Sequence, residues 1–350
     1  MKVLVAMSGG VDSSVAAYLL KEEGHEVIGV SMNLLTCHRT GEVSCCSAED
    51  RRDARKICDQ LGISHYVLDY RARFREKVID PFVEEYLVGR TPSPCILCNE
   101  HIKFAELFAE AEKMGADYVA TGHYARIEKD GDRYRFFKGA DPKKDQTYFL
   151  FMLGQDELAR LLFPVGKMTK EESRRVAVRE KLATMEKPES QDVCFVPDGD
   201  CASFIEERAG NRVKGSGDFV SMAGEVIGRH RGIYAYTIGQ RRGIGFGVGE
   251  RQYVVRIDPI KNEVVLGSKD DLRRMDLIVR DPSWVYENMS TRKDVVVKIR
   301  SAHAGVPADL NALNDGSVEV LFKKPVEGVA PGQAAVFYDG EEVLGGGWIA

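Results

Sequence analysis

Residues Val3–Leu20, "VLVAMSGGVDSSVAAYLL", decide how this chain is read. The apolar run Val3–Met7 predicts a short buried strand, and a helical pattern follows from about Ser13 to Glu23. Between them stands Ser8-Gly9-Gly10-Val11-Asp12-Ser13. Glycines let the backbone approach a phosphate closely, and a helix N-terminus offers unpaired N–H groups and a positive dipole end. Ser8 and Ser13 add hydroxyl donors. Asp12 repels phosphate, which directs it toward Mg²⁺ or the substrate. No Gly-Lys-Ser/Thr follows, so the turn is not a Walker A loop, and its glycines do not fit the dinucleotide fingerprint. A turn of this kind stands at a strand's carboxyl end, where open parallel sheets bind their ligands.

Outward from that turn the alternation continues. Strands are expected at Val27–Leu34, His65–Leu68 and Asp117–Thr121. Helices are expected at Ser47–Leu61, opened by a capping-box-like Ser47 and Asp50, and at Ala72–Leu87 and Ile102–Met114. This predicts an α/β domain with a parallel sheet. A hairpin is expected over Tyr124–Phe137 around Asp130-Gly131. Further helices are expected over Thr147–Phe163 and over Lys170–Lys181, the second opened by Thr169-Lys170-Glu171-Glu172. From about Gly210 the texture becomes short β-branched runs between Gly and Asp/Asn turns, consistent with small barrels. The division expected is 1–205, an α/β domain carrying the phosphate-type turn; 206–275, a small β-rich domain; and 276–350, a C-terminal β-barrel.

A chain of 350 residues exceeds what one core usually organises, and its net charge of −5 gives no global field attracting nucleic acid. RNA would have to be held by local patches. The stretch Arg229–Arg256 is one: Arg229, His230, Arg231, Arg241, Arg242, Arg251 and Arg256 face only Glu250, and Tyr234 and Tyr236 interleave to stack or to pack. Its Gly-rich part, Arg241–Arg251, reads as a flexible loop. Met1 runs directly into a strand pattern, without a signal peptide, and no apolar run is long enough for a bilayer. A cytoplasmic protein is expected, with no membrane partner and thiols kept reduced.

Eight cysteines then need a reading. In "GRTPSPCILCNEHIKF", Gly89–Phe104, Cys95 and Cys98 have a spacing used for redox, metal or iron–sulfur chemistry more often than for packing. Asn99 is expected to cap the following helix. That would place Cys98 at a helix N-terminus near Lys103 and make it a better nucleophile. Cys194 lies in a polar loop, "KPESQDVCFVPDGD". Cys58 reads as packed. Cys37, Cys45 and Cys46, near His38, are too irregularly spaced to argue strongly for zinc.

Ser-Gly-Gly-x-Asp-Ser resembles the pyrophosphate loop of the N-type ATP pyrophosphatases. "GRTPSPCILCNEHIKF", "YVATGHYAR", "KKDQTYFL", "ESQDVCFV", "YTIGQRRGIG" and "VAPGQAAVFYDG" occur in the same order as in one of their branches. On these the whole chain resembles the tRNA-specific 2-thiouridylases, MnmA-type sulfurtransferases. The resemblance implies that Ala6, Met7, Ser8, Gly9, Gly10, Val11, Asp12 and Ser13 hold ATP with Mg²⁺, and that Met32 and Gly122 touch the adenosine. Ser93, Pro94 and Cys95 would lie beside the target base of a tRNA. Lys144, Asp145, Gln146, Arg300 and Ser301, with His123 and Gln333, would be tRNA-side positions. Cys98 matches the nucleophilic cysteine and Cys194 the persulfide carrier.

Many family members have aspartate where this chain has Cys95. The substitution makes a set of Cys95, Cys98 and Cys194, which can hold a [4Fe–4S] cluster with one iron open for sulfide. Two routes therefore stand side by side, a persulfide on Cys194 resolved by Cys98 and sulfide delivered from a cluster. The partners expected are the anticodon region of tRNA and a sulfur donor, a cysteine desulfurase or relay carrier, with the enzyme itself a monomer. The competing functions are another ATP-pyrophosphatase ligase or synthetase, and a nucleotide- or cluster-binding sensor without turnover.

Overall fold

Three consecutive apolar residues with no polar alternation suit a strand covered on both faces, and Val3, Leu4 and Val5 of β1 (Lys2–Ala6) are fully buried. The structure, a computed structural model, describes residues 1–35, 48–188, 193–244, 251–286 and 289–350. These fall into two compact units.

The first unit comprises residues 1–78, 95–197 and 341–344. In its sheet β1 lies between β2 (Glu26–Asn33) and β4 (Tyr118–Ala120). β3 (Ser64–Asp69) flanks β2, and the two-residue strand Leu161–Leu162 flanks β4. All four pairings are parallel, with Val3 opposite both Val27 and Tyr118. Helix α1 (Val11–Glu22) buries Val15, Ala16, Ala17 and Leu20. The same core holds Ala54, Ile57 and Cys58 of α2 (Ala48–Leu61) and Ala177 of the helix Lys170–Arg179. Burial pushes the Cys58 thiol up to about 12, so this cysteine is packed and inert.

The second unit comprises residues 79–94, 198–340 and 345–350. It contains a four-stranded sheet in the order Tyr253–Asp258, Glu263–Gly267, Gly217–Val220, Val226–His230, over a core of Phe219, Ile233, Tyr236, Val254, Val264 and Leu266. It also contains a barrel of six strands. Arg273–Trp284 pairs at one edge with Val318–Glu327 and at the other with the last strand, Val279 lying opposite Ile349, which closes the ring. Val295, Val297, Val318, Val320 and Phe337 are wholly buried.

The α/β and mainly-β architectures expected from the sequence are present. Some elements differ. Thr147–Phe163, expected as a helix, holds only a 3₁₀ turn, Thr147–Phe149, the short helix Gln155–Leu158 and the strand Leu161–Leu162. Gly154 in an extended conformation ends any longer helix, and the aromatic residues pack as a cluster instead. Helix begins at Pro94, not Ile102: Pro94–Cys98 runs on through a π-helical Asn99–Phe104 into Ala105–Met114. Proline suits the first turn of a helix, whose N–H has no partner in any case. Ala72–Leu87 is likewise helical but contains a π turn, Arg75–Ile79, just before Pro81, which cannot donate to the ladder. Ser47, Cys37, Cys45, Cys46 and His38 lie outside the described residues.

Candidate active site: a phosphate loop with a lysine from another helix

The turn after β1 folds as its residues require. Gly9 has φ +73°, and a Cβ there would run into the backbone carbonyl of Asp50 in α2. Asp50 cannot yield easily, because Lys187 Nζ donates to Asp50 Oδ1 at 2.6 Å and to Asp53 Oδ2 at 2.8 Å. Burial alone would lower this lysine and raise Asp53. Their mutual hydrogen bonds outweigh burial and hold Lys187 above, and Asp53 below, the ordinary ranges. Gly9→Ala is therefore expected to cost about 1–3 kcal/mol in backbone strain and to displace the loop, read as a lower urea midpoint together with weaker ATP binding.

Gly10 is the extended N-cap residue of α1, and Ser14 N–H makes the first helical bond to its carbonyl at 3.3 Å. The N–H groups of Val11, Asp12 and Ser13 thus have no carbonyl four residues back, as in any first turn. Ser8 Oγ and Ser13 Oγ lie 3.1 Å apart beside them. Gly122, just beyond β4, presses its Cα on this turn: a Cβ there would stand 2.6 Å from Ser13 N and 3.0 Å from Asp12 Cβ. The structure therefore brings Gly122 to the loop, and places Met32, 9% exposed, near the carboxyl end of β2.

Asp12 is the hub. Lys170 Nζ donates to both its carboxylate oxygens at 2.7 Å, and the Tyr124 hydroxyl donates to Oδ1 at 2.8 Å. The same hydroxyl lies 3.0 Å from Ser173 Oγ, and the Lys170 ammonium lies 5.9 Å from the Tyr124 ring centroid. Lys170 and Ser173 occupy the first turn of Lys170–Arg179. The cap of this helix is the expected Thr169–Glu172 box, and Asp141 accepts from Lys170 N at 3.0 Å. The sequence reading took Lys170 for part of a cap and missed its contact with Asp12. A signal was present. A cation at the first helical position opposes the helix dipole and needs a reason.

Around the cysteines the structure corrects one expectation. Cys98 sits inside continuous helix (φ −64°, ψ −44°), so it has no helix N-terminus to stabilise a thiolate. Asn99 is no N-cap. It is 2% exposed, and its Nδ2 donates to Phe149 O at 2.9 Å. The exposed Cys95, in the first turn, is the one nearer the positive end; Cys98 is buried and Cys194 half-buried. Among the described residues no group of three His, Cys, Asp or Glu side chains converges to hold a metal ion. Cys95, Cys98 and Cys194 are all described, and as placed they do not form a cluster's ligand set.

The remaining candidates are largely engaged within the protein. Asp145 Oδ1 accepts from Gly139 N, Thr147 N and Thr147 Oγ1. Gln146 Oε1 accepts from Tyr124 N at 2.9 Å, which ties the Lys144–Gln146 segment to the tyrosine on Asp12. His123 lies 2.8 Å through Nδ1 from Thr121 Oγ1, and burial and then Lys103 hold it well below the ordinary histidine value. In the second unit Gln333 Nε2 donates to the carbonyls of Thr91 and Pro92, fixing the chain just before the buried Ser93 and Pro94. Arg300 and Ser301 are exposed, with Arg300 Nη1 donating to Glu327 O at 3.2 Å.

The Arg229–Arg256 stretch is only partly a basic face. Arg229, Arg231, Arg241, Arg242, Arg251 and Arg256 are exposed, Arg229 paired with Asp218 at 2.8 Å; Glu250 and the rest of 245–250 lie outside the described residues. Tyr234 and Tyr236 pack, and the Tyr234 hydroxyl donates to Glu206. His230 is a core residue, 3% exposed, accepting from Gly232 N–H at Nδ1 and facing Asn262 O through Nε2. Burial lowers its pKa. The unfolded chain therefore binds that proton more readily, so stability is complete above the ordinary histidine value and falls as pH drops below about 6.5. His65, His123 and His303 are held low as well and act in the same direction. As pH falls from 7.5 to 5.5, His230 is expected to make the folded state less stable. Urea unfolding checks this, with His230→Gln giving a shallower pH slope.

A parallel sheet whose first strand feeds a glycine-serine phosphate turn, with a glycine from the fourth strand pressed on it, defines an adenine-nucleotide domain of the ATP pyrophosphatase class. Residues 1–198 match the family described as "tRNA methyl transferase HUP domain", 202–268 the "tRNA methyl transferase PRC-barrel domain", and 274–349 the "Aminomethyltransferase beta-barrel domain". A "tRNA-specific 2-thiouridylase MnmA" of Geotalea uraniireducens is 50% identical, covering 99% of this chain and 94% of that one. Those of Geobacter metallireducens and Carboxydothermus hydrogenoformans are each 48% identical, covering 99% of this chain and 96% and 97% of theirs. The chain belongs to the tRNA-specific 2-thiouridylase (MnmA) family.

Proposed function

We propose that this chain is an ATP-dependent tRNA sulfurtransferase that converts the wobble uridine to 2-thiouridine. The observation that carries the reading is the Ser8–Ser13 phosphate turn, locked by Gly9 and Gly122, in a chain alike over 99% of its length to tRNA-specific 2-thiouridylases. Its domains are taken as 1–205, 206–275 and 276–350.

In the first half-reaction the uridine O2 attacks the α-phosphorus of ATP held on the loop. The bond to the β-phosphate oxygen breaks and pyrophosphate leaves. Asp12 and the Ser8 and Ser13 hydroxyls are oxygen donors that suit Mg²⁺, which when bound with ATP neutralises phosphate charge. In the second half, the terminal sulfur of a Cys194 persulfide attacks C2 and AMP departs with the former O2. The Cys98 thiolate then attacks Cys194 Sγ, releasing the base as its thione and leaving a Cys98–Cys194 disulfide for an external thiol. The persulfide route is preferred because Cys95, Cys98 and Cys194 as placed do not make a cluster site.

Cys95, His123, Lys144, Arg300 and Ser301 are proposed as tRNA-side positions, with Gln333, Gln146 and the buried Ser93 holding their segments in place. The exposed arginines between Arg229 and Arg256 add local phosphate contacts. A persulfide-bearing protein supplies the sulfur to a monomeric enzyme. No described helix is long and apolar enough to cross a membrane, and a cytoplasmic location fits the thiol chemistry.

The experiment is isotopic. A tRNA transcript carrying ¹⁸O at C2 of the wobble uridine is turned over with ATP and sulfur donor. The label should appear in AMP, with one sulfur gained by the tRNA. A ligase for a small molecule, or a sensor without turnover, would leave the label in the RNA.

A further inference from the structure

The four-stranded sheet of the second unit has two faces, and Phe219, Val254, Val264 and Leu266 fill the core on one of them. Strict alternation along Tyr253–Asp258 would turn Arg256 toward that core as well. A β-bulge prevents this. The register with Glu263–Gly267 shifts between Val254 and Arg256, so Val255 and Arg256 together oppose Val265, and both line a cleft on the other face. Ile257 then returns to the core side. The cleft has a volume of about 230 Å³, and Val220, Val255 and Val265, 3–5% exposed, form its floor. Met222, 55% exposed, lines it and packs on Gly267, where a Cβ would come within 3.1 Å of Met222 Cγ. Arg256, Lys261 and Arg274 line it against one acid, Glu263. Arg274 is fixed by donating through Nη1 to the carbonyls of Asp271 and Arg273. Arg256 and Lys261 are exposed and form no ion pair with another described residue. The carboxylate whose charge reaches both, Asp258, already accepts from the N–H groups of Ile260 and Lys261 at 3.0 Å.

We propose that this cleft is a nucleotide subsite for the substrate RNA. It takes one unstacked base against the valine floor and Met222, with the phosphate of that nucleotide on Arg256 and Lys261. This rests on the tRNA reading above and adds a binding site to it. An apolar floor with cations at its rim matches a nucleotide, whose flat base carries an anionic phosphate at one edge. A thioether and a guanidinium both pack well on an aromatic face. The volume is below that of a pocket for a drug-sized ligand and suits a single base. Arg256 also closes the run of exposed arginines already assigned to RNA phosphates, so the cleft continues that surface. The occupant is not the wobble uridine. That base reacts where the phosphate loop and Cys95, Cys98 and Cys194 lie, in the first unit, whereas the cleft is built entirely from the second.

The test uses the full chain and a tRNA transcript, with binding followed by fluorescence anisotropy at several salt concentrations. Arg256→Gln and Lys261→Gln should each lower the slope of log affinity against log salt by about 1. Met222→Ala should weaken binding about fivefold and leave that slope unchanged, because it removes a base contact and no charge. Met222→Leu, which keeps the apolar bulk, should recover most of the loss. All three side chains are exposed, so urea midpoints should stay at the native value, and a lower midpoint would be read against the Leu variant. If Arg256→Gln and Lys261→Gln lower the slope but Met222→Ala binds like the native chain, the surface holds phosphate without a base and the subsite is overturned. If all the variants bind the transcript normally while the native enzyme thiolates it, the proposal is overturned alone. Slower sulfur transfer from a persulfide-bearing protein at unchanged tRNA affinity would overturn it too, assigning the cleft to that donor. If the native enzyme neither binds nor thiolates the transcript, the functional reading falls and this inference with it.

Discussion

Cys194→Ser is expected to lower 2-thiouridine formation by about 10⁴-fold or more while tRNA-dependent pyrophosphate release continues for one turnover. A serine hydroxyl cannot carry a persulfide, so the covalent route is removed rather than slowed. The adenylation machinery around Asp12 contains no part of Cys194, so the first half-reaction should survive. Rapid-quench assays that count pyrophosphate and thiolated tRNA in the same sample separate the two halves. Loss of both would mean that Cys194 acts before adenylation, as a tRNA-binding or structural residue. Under the same assay Cys98→Ser should permit a persulfide to form on Cys194 but block its resolution.

Asp12→Asn is the second large effect. It keeps the shape of the side chain and its bond from Tyr124 but removes the charge that holds Lys170. Pyrophosphate release should fall about 10²–10³-fold, with tRNA affinity unchanged. The reason is positional as much as electrostatic, since Asp12 connects α1 to Tyr124 and Lys170 at once. Single-turnover rates at saturating ATP and tRNA check this. Equal loss in tRNA binding would mean that the variant had disturbed the fold beyond the loop.

The loop and its sheet were readable because their signals are local. The apolar run Val3–Met7, the two glycines and the following helix lie within one short stretch, and each residue's conformation follows from its neighbours. Gly122 was readable only through family likeness, since the reason it must be glycine, the backbone of Asp12 and Ser13, lies far away in sequence. Lys170 shows the same limit. Its local role, within a capping box, was correct and hid its distant one. Leu161–Leu162 was lost because two residues show no period, and their pairing with β4 is what makes them a strand. The helix bearing Cys95 and Cys98 was read as starting late because Asn99 resembles a cap, while Pro94 was the true opening. His230 and the tyrosines near it looked like an RNA face because charge patterning along a sequence does not show which residues turn inward.

The central claim is that ATP cleavage and sulfur transfer are two halves of one reaction on tRNA. It is tested most directly by mixing the native protein, its Cys194 loaded with ³⁵S-persulfide, with ATP and a single tRNA transcript, and counting products in one turnover. The account predicts one AMP, one pyrophosphate and one ³⁵S in the wobble uridine per loaded chain, and none of the three with a cytidine at that position. Sulfur transferred without pyrophosphate, or pyrophosphate released equally with the cytidine transcript, would contradict it.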